Sequence, residues 1–192
     1  MNNVLTMPVN EQQMYPHELA VITVSRPGFL PQAALAEAEG QRALLYSTEG
    51  LKPLTEYITA AREVTVEKLF ELLSGYIRAL IGARDMLLDT RLLSSDPEAG
   101  VFAAGSGSAL TVKAVWGADA FTDESGKICR VARALSGCER IMGAKSSMER
   151  MITAVRADNP SLLNCLKLAE TLCREWNCIS GAPVPRPPQS FT

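Results

Sequence analysis

The chain has 192 residues, of which 47% are hydrophobic and 21% are charged, and its formal net charge at pH 7 is -2. This length suffices for one domain with a full hydrophobic core, or for two small lobes that share an interface. The weakly acidic balance offers no basic field for a phosphate backbone, and no stretch approaches the ~20 apolar residues of a membrane span, so we expect neither nucleic-acid binding nor membrane insertion by this chain.

The N-terminal part is predicted to begin with a lead-in and a strand. Residues 1–14 are expected to be a flexible, extended lead-in, because the polar chain as far as His17 is punctuated by prolines. The first residues also lack the positive charge and the apolar run of a signal peptide. Residues 18–24 are rich in β-branched side chains and stop at Arg26-Pro27-Gly28, which predicts a strand that ends in a turn.

The next segment leaves two structures open. Residues 29–41 are rich in alanine, and Pro31 followed by alanine and glutamate suits a short helix that stops at Gly40. Tertiary contacts could equally make the same segment a strand. Residues 42–47 are predicted to be a strand, and residues 51–58 a short helix.

The most regular pattern in the chain predicts an amphipathic helix over residues 65–82. Its apolar side chains recur at the spacing of one helical face, at positions 66, 69, 70, 73, 76, 77 and 80. Thr65 suits the N-cap, because its hydroxyl can accept from a backbone N–H of the first turn. We expect a break near Gly82, after which the helix continues into residues 83–88.

A loop over residues 89–98 leads to a predicted β-hairpin near 101–116. Two runs rich in β-forming residues flank Gly105-Ser106-Gly107-Ser108, which is typical of a hairpin turn. The same glycines resemble the start of a dinucleotide-binding motif. However, Leu110 stands where the third glycine would be, and the segment joins two strands instead of a strand and a helix, so the hairpin is the preferred interpretation.

The chain is expected to be helical from Asp119 onward. Ser146 and Glu149 have capping-box spacing, which predicts a helix near 147–156. Asn159-Pro160 suits the cap and the first position of a further helix. The inner face of that helix is predicted to consist of Leu162, Leu163, Leu166, Ala169, Leu172, Cys173 and Trp176.

These elements predict a single α+β domain over residues 15–180. The N-lobe would cover about 15–60 and the C-lobe about 61–180. The proline-rich residues 181–192 are typical of a linker, so we expect this chain to be one domain of a longer protein. Residues 185–188 match a polyproline II ligand minimally, and the linker interpretation is preferred for them as well.

No residue set in the sequence assembles an active site. The cysteines lie at 129, 138, 165, 173 and 178, and none has the Cys-x-x-Cys spacing of a zinc or redox site. The single histidine, His17, cannot complete a Cys/His cluster and is expected to be solvated. We interpret the cysteines as reduced thiols that act as small hydrophobes, which indicates a cytoplasmic protein. We therefore predict no catalytic, cofactor-binding or metal-binding residues.

Arg84-Asp85 imitates the Arg-Asp-Leu of a kinase catalytic loop. It precedes an apolar helical run in which Leu87 and Leu88 are expected to be core residues. A solvated ion pair at a helix end is therefore the preferred interpretation of Arg84-Asp85.

Four segments carry a family resemblance. They are Leu45-Tyr46-Ser47 to Leu51-Lys52-Pro53-Leu54, the helix at 65–82, Leu87-Leu88 with Leu92-Leu93-Ser94-Ser95-Asp96-Pro97-Glu98, and the strand pair at 101–116. In this order they resemble a bacterial family of uncharacterised domains that usually precede a forkhead-associated (FHA) domain. That family in turn resembles the protein-kinase fold, as do the pseudokinase-like domains of type VII secretion membrane proteins.

The resemblance implies where kinase chemistry would lie. When the kinase motif His-Arg-Asp-Leu-Lys-Pro-Glu-Asn is laid on residues 92–99, Ser94 stands in place of the catalytic aspartate and Ala99 in place of the metal-binding asparagine. Val115 stands in place of the aspartate of Asp-Phe-Gly, and Thr23 in place of the phosphate-binding lysine. Phosphoryl transfer depends on metal ions, a lysine and a carboxylate base, so the resemblance implies a domain without catalysis.

The expected fold is α+β with a reduced, kinase-like architecture: a small N-terminal β-containing lobe and a mainly helical C-terminal part. The expected function is a non-catalytic protein-interaction or regulatory domain of a bacterial signalling or secretion-related protein. Its partner would be a protein, and an FHA domain in the parent protein is one candidate. A kinase-like small-molecule phosphotransferase or nucleotide-binding protein is the alternative, and the helices at 147–177 could also form an oligomer interface.

Overall fold

A computed structural model describes most of the chain as a mixed α and β structure. The described residues are 3–9, 14–38, 40–60, 64–105, 110–117, 123–137 and 143–180. Over these residues the chain forms two three-stranded antiparallel sheets and six α-helices. The predicted α+β class is therefore confirmed.

The first sheet contains strands β1 (Val4–Pro8), β2 (Ala33–Ala38) and β3 (Gln41–Ser47), in the order β1-β3-β2. Leu44 and Tyr46 of β3 are fully buried, so the inner face of this sheet belongs to the core. The strand predicted over 42–47 is confirmed, and the ambiguous alanine-rich segment is a strand. The structure differs from the expected lead-in at β1, because alternate side chains of this strand are partly buried against the core and its backbone pairs with β3.

The strand predicted over residues 18–24 is wrong. Helix α1 (Pro16–Ala20) is followed by a π-helical turn (Val21–Ser25), which ends at Arg26 in the left-handed region with φ of 49°. Pro16 at the start of the helix and the Glu18 carboxylate, which accepts from the Tyr15 N–H at 2.8 Å, fix the first turn. This capping overrides the β preference of the branched side chains.

Helix α2 (Leu54–Ala60) precedes the long central helix α3 (Val66–Asp85). Thr65 is the N-cap, and its hydroxyl accepts from the Lys68 N–H at 3.2 Å. Every predicted apolar position of α3 is buried, because the helix is covered by α6, α4 and the second sheet. The expected break near Gly82 is wrong, since α3 continues without interruption to Asp85.

The second sheet contains strands β4 (Lys52–Pro53), β5 (Val101–Ala104) and β6 (Thr111–Ala114), in the order β4-β5-β6. Strands β5 and β6 form the predicted hairpin. Of its predicted turn, positions 106–109 lie outside the described residues. The sheet packs closely on α3 at Gly75, where a Cβ atom would lie 2.8 Å from Val112 Cγ2.

The C-terminal part contains α4 (Glu124–Ser136), α5 (Ala144–Asp158) and α6 (Leu162–Ser180). The predicted capping box at Ser146 is wrong, because α5 begins one turn earlier and the Ser146 hydroxyl donates to the Gly143 carbonyl at 3.1 Å. Asn159 does not start α6; it ends α5 with φ of 40°, and Ser161 accepts from the Asn164 N–H at 3.4 Å.

The buried apolar side chains form one cluster that includes residues of both sheets and of α3 to α6. Leu163, which was predicted to lie on the inner face of α6, is 60% exposed. The predicted linker at 181–192 lies outside the described residues. Within the described ranges no helix combines the length and apolar character needed to cross a lipid bilayer.

Candidate functional site

The segment that resembles a kinase catalytic loop lies between a short 3-10 helix (Thr90–Leu92) and β5. Ser94 and Ser95 of this loop are fully buried. The Ser94 N–H donates to the Val115 carbonyl at 2.8 Å, and the Gly117 N–H donates to the Leu92 carbonyl at 2.7 Å. The loop is therefore attached by backbone hydrogen bonds to the segment that follows β6.

Hydrogen bonds within the loop also hold it in shape. The Ser94 hydroxyl accepts from the Asp96 N–H at 3.1 Å, and the Asp96 carboxylate accepts from the Glu98 N–H at 2.9 Å. A Cβ atom on Gly100 would overlap the Ser94 hydroxyl, so only glycine fits where the loop closes. The Pro97 carbonyl accepts from the Thr55 N–H at 3.1 Å, which connects the turn to α2.

Two long side chains from different elements support the loop from inside, and a third supports the segment after β6 to which the loop is attached. The Tyr76 hydroxyl of α3 donates to the Ser94 carbonyl at 3.0 Å, and the Lys127 ammonium of α4 donates to the Leu93 carbonyl at 2.6 Å. Tyr46 of β3 binds the backbone of Trp116, its hydroxyl donating to the carbonyl at 2.9 Å and accepting from the N–H at 3.2 Å. All three side chains are buried. Their polar groups are engaged by the protein backbone.

The positions that the resemblance assigns to kinase chemistry are only partly brought together. Ser94 and Val115 are backbone hydrogen-bonded neighbours in the interior, and Ala99 is exposed on the turn. Thr23 lies in the π-helical turn, where its hydroxyl donates to the Leu19 carbonyl at 2.7 Å. The strand that would have presented Thr23 to a phosphate is absent from this described segment.

The end of α3 corrects the interpretation of Arg84-Asp85. Arg84 forms an ion pair with Glu124 of α4, with a distance of 3.6 Å from Nε to Oε1. Leu88 is buried as predicted, but Leu87 is 78% exposed and has φ of 59°. The Leu88 N–H donates to the Ala83 carbonyl at 2.9 Å, which defines a helix-ending motif whose reversing residue is usually glycine. Leu87 occupies that reversing position and therefore faces solvent.

The four described cysteines differ in how far they are buried. Cys129 and Cys165 are buried as predicted, Cys173 is half-buried, and Cys178 is exposed, contrary to the prediction. Burial raises the pKa of Cys165 and of Cys173 to about 11. Cys138 lies outside the described residues. Within the described residues no three histidine, cysteine or acidic side chains are grouped as metal ligands would be.

The predicted solvation of His17 agrees with its exposed position. Its ring stacks on Tyr15, with the ring centroids 5.8 Å apart, and its Nε2 lies 3.1 Å from the Leu87 carbonyl oxygen. Below it, the buried Glu18 carboxylate accepts from the Asp89 N–H at 2.7 Å. These contacts join the N-terminal helix to the segment after α3.

Two grooves open on the helical surface, and sequence patterns revealed neither. The α3/α6 groove has a volume of about 670 Å³. Its two arginines share one carboxylate, because Glu170 lies 3.4 Å from Arg78 and 3.8 Å from Arg174, and Glu67 and Glu71 also line the groove. The second groove, of about 580 Å³, lies between α4 and the C-terminal end of α5. We call it the arginine groove, because it is lined by Arg130, Arg133 and Arg156.

No protein-family model matches this sequence, and no curated protein matches it. No residue role is therefore taken from a matched protein. The burial and hydrogen bonding of the loop at 92–100 and the charge of the arginine groove are the features from which a function can be argued.

Proposed function

We propose that the chain is a non-catalytic protein-interaction or regulatory domain with a pseudokinase-like architecture, from a bacterial signalling or secretion-related protein. The observation that carries the proposal is the burial of Ser94 and Val115, which share a backbone hydrogen bond of 2.8 Å. In a kinase these two positions would hold carboxylates that face a metal ion and a phosphate across open space. Here the loop and the strand segment are in direct contact.

The chemistry of the loop supports the same conclusion. A serine hydroxyl carries no charge to hold a metal ion, and the Ser94 hydroxyl is occupied by the Asp96 N–H. The Asp96 carboxylate caps its own turn through the Glu98 N–H, and its other oxygen lies 4.0 Å from Arg130. Phosphoryl transfer needs charge neutralisation by metal ions as well as a base. The groups present hold the loop in shape instead.

A rigid surface is what an interaction domain requires, since ordering a flexible surface on binding costs conformational entropy. The buried side chains of Tyr76 and Lys127 fix the loop from inside, while Glu98 and Ala99 remain exposed on its outer turn. The family resemblance suggests an FHA domain in the parent protein as one partner of such a surface.

The test is nucleotide binding and turnover by the purified chain. Melting temperatures are measured with ATP, ADP and adenosine, each with and without magnesium, beside a sensitive assay of ATP hydrolysis. A ligand at 100 times its dissociation constant would stabilise the protein by about 2.7 kcal/mol, which such a titration detects readily. We expect no magnesium-dependent stabilisation and no turnover.

Two variants make the result decisive. Asp96→Asn removes the loop carboxylate, and Glu98→Gln removes an exposed carboxylate two residues away as the matched control. Turnover that survives stringent purification and is lost in Asp96→Asn, but not in Glu98→Gln, would establish an enzyme and overturn the proposal.

A further inference from the structure

The arginine groove combines one face of α4 with the end of α5. Gly126, Cys129, Arg130 and Arg133 recur at positions i, i+3, i+4 and i+7 of α4, so they share one helical face. Arg156 approaches from α5, and its guanidinium lies against the Cys129 thiol. Helices α4 and α5 pack closely together. Three guanidinium groups from two helices therefore border one recess.

The described carboxylates near the groove do not pair with Arg133 or Arg156. Asp123 is the acidic residue of the groove lining, and its carboxylate caps α4 by accepting from the Gly126 N–H at 2.7 Å. Asp96 faces Arg130 from outside the lining at 4.0 Å, the outer limit of an ion pair. Among the described residues, Arg133 forms no ion pair. Arg133 and Arg156 therefore bring positive charge, which no described carboxylate pairs, to this recess of a chain whose net charge is -2.

The Cys129 thiol, which lies against Arg156, does not neutralise the guanidinium either. Burial raises the pKa of the Cys129 thiol above its ordinary value in spite of the neighbouring arginine, so the thiol is neutral at pH 7. The side chains of Arg133 and Arg156 are exposed and retain full charge. Like charges that share one recess repel each other, and an anion between them would remove that repulsion.

We propose that the arginine groove binds a phosphate monoester. A phosphate monoester carries about -1.5 to -2 charges at pH 7 and three strong acceptor oxygens, which suits the guanidinium groups of Arg133 and Arg156 together better than a single carboxylate would. A volume of about 580 Å³ admits a phosphorylated side chain or a small phosphorylated metabolite. The proposal does not depend on whether the domain is catalytic.

The experiment titrates the full chain with defined probes at constant ionic strength. The probes are inorganic phosphate, glucose 6-phosphate, and a phosphoserine heptapeptide with its unphosphorylated form; sodium chloride is the ionic control. Binding is measured by the change in melting temperature and, independently of stability, by broadening of the ³¹P resonance of the probe. We expect every phosphorylated probe to bind and the unphosphorylated peptide to fail. The tighter of the peptide and the sugar phosphate identifies the source of the ligand.

Variants locate the binding. Arg133→Gln and Arg156→Gln should each weaken phosphate binding about five- to tenfold, and the double variant should abolish it, because each removes one charge-assisted contact. Arg150→Gln is the matched control on α5, the helix that also contains Arg156, since Arg150 pairs with Glu175 at 2.8 Å outside the groove. In phosphate-free buffer Arg133→Gln should melt no lower than the wild type, because repulsion is relieved.

Two results would overturn the proposal. One is phosphate binding that is unchanged in the double variant, and the other is a shift that sodium chloride reproduces at equal ionic strength. The double variant also separates this site from nucleotide recognition in the loop region. If the double variant abolishes the stabilisation by a nucleotide, that nucleotide binds in the arginine groove. If the double variant retains a magnesium-dependent stabilisation, the non-catalytic function is contradicted.

Discussion

Tyr46→Phe tests whether the buried hydrogen bonds between β3 and the segment that follows β6 stabilise the fold. The Tyr46 hydroxyl donates to the carbonyl of Trp116 at 2.9 Å and accepts from its N–H at 3.2 Å, and both residues are fully buried. Phenylalanine keeps the ring packing and removes the hydroxyl. Two backbone groups of Trp116 would then lie in the interior without a partner.

The expected cost follows from those two groups. A buried donor or acceptor left without a partner costs about 1–3 kcal/mol. Because the variant also no longer has to bury a hydroxyl, we expect a net loss of about 2–4 kcal/mol in the free energy of unfolding. In a protein of this length about 1 kcal/mol corresponds to about 2–4 °C, so the melting temperature should fall by about 4–16 °C.

The assay is urea unfolding followed by circular dichroism and tryptophan fluorescence. Tyr57→Phe is the control, because the Tyr57 hydroxyl donates to the Gly105 carbonyl at 3.1 Å in an exposed position where water can replace it. We expect that control to lose less than about 0.5 kcal/mol. If Tyr46→Phe also lost less than about 0.5 kcal/mol, the inferred role of the buried hydroxyl would be wrong.

The pH dependence provides a second arm of the same test. Burial raises the pKa of the Tyr46 phenol above its usual value. Since the folded state then holds the proton more tightly than the unfolded chain, this contribution to stability is present below pH ~10 and is lost as the pH rises further. The stability gap between the wild type and Tyr46→Phe should therefore narrow above pH ~10.

Three further predictions concern other parts of the molecule. With an aromatic disulfide reagent and site-resolved mass spectrometry, Cys178 should react at once, whereas Cys165, which is buried with a pKa of about 11, should react only as the protein opens. The pKa of Asp89 is held below its usual value, first by a hydrogen bond from the side chain of Arg91. The stability that the Asp89 carboxylate contributes should therefore be lost as the pH falls below ~4. In urea titrations, Asp89→Asn should cost less than about 1 kcal/mol at pH 7 and nothing near pH 2. Gly100→Ala should lose about 1–3 kcal/mol in urea unfolding because its Cβ overlaps the loop serine, whereas Gly28→Ala, with open space around it, should be neutral.

The parts of the fold that local sequence determines were predictable. The stripe of α3 is a pattern of one helical face, and burial of that face needs no knowledge of its partner. The same holds for the hairpin of β5 and β6, whose strands are separated by a short glycine-containing segment. In both cases a short sequence window contains the signal.

The errors arise where a distant contact or a terminus decides the structure. Glu18 is fixed by the Asp89 N–H, 71 residues away, and this contact helps to keep a β-branched segment helical. Leu87 belongs to an apolar run, yet it takes the reversing position at the end of α3 and faces solvent. No periodicity in either window contains that information.

The candidate sites were predictable to different degrees. The Asp-Pro-Glu element drew attention to the loop at 92–100, but not to the α3 and α4 side chains that support it, or to Tyr46 of β3, which binds the neighbouring segment. The arginine groove was missed, because Arg133 and Arg156 are 23 residues apart in the sequence and the net charge of the chain is slightly negative. A global charge does not report a local field.

The loop and the arginine groove differ in whether their polar groups are already engaged. In the loop, the Ser94 hydroxyl, the Tyr76 hydroxyl and the Lys127 ammonium all have partners in the protein, so binding a ligand there would first require breaking those contacts. In the arginine groove, the exposed Arg133 and Arg156 form no ion pair with the described residues, so a ligand that binds them would gain contacts without such a loss. Substitutions in the loop should therefore act mainly on the free energy of unfolding, and substitutions in the groove mainly on anion affinity.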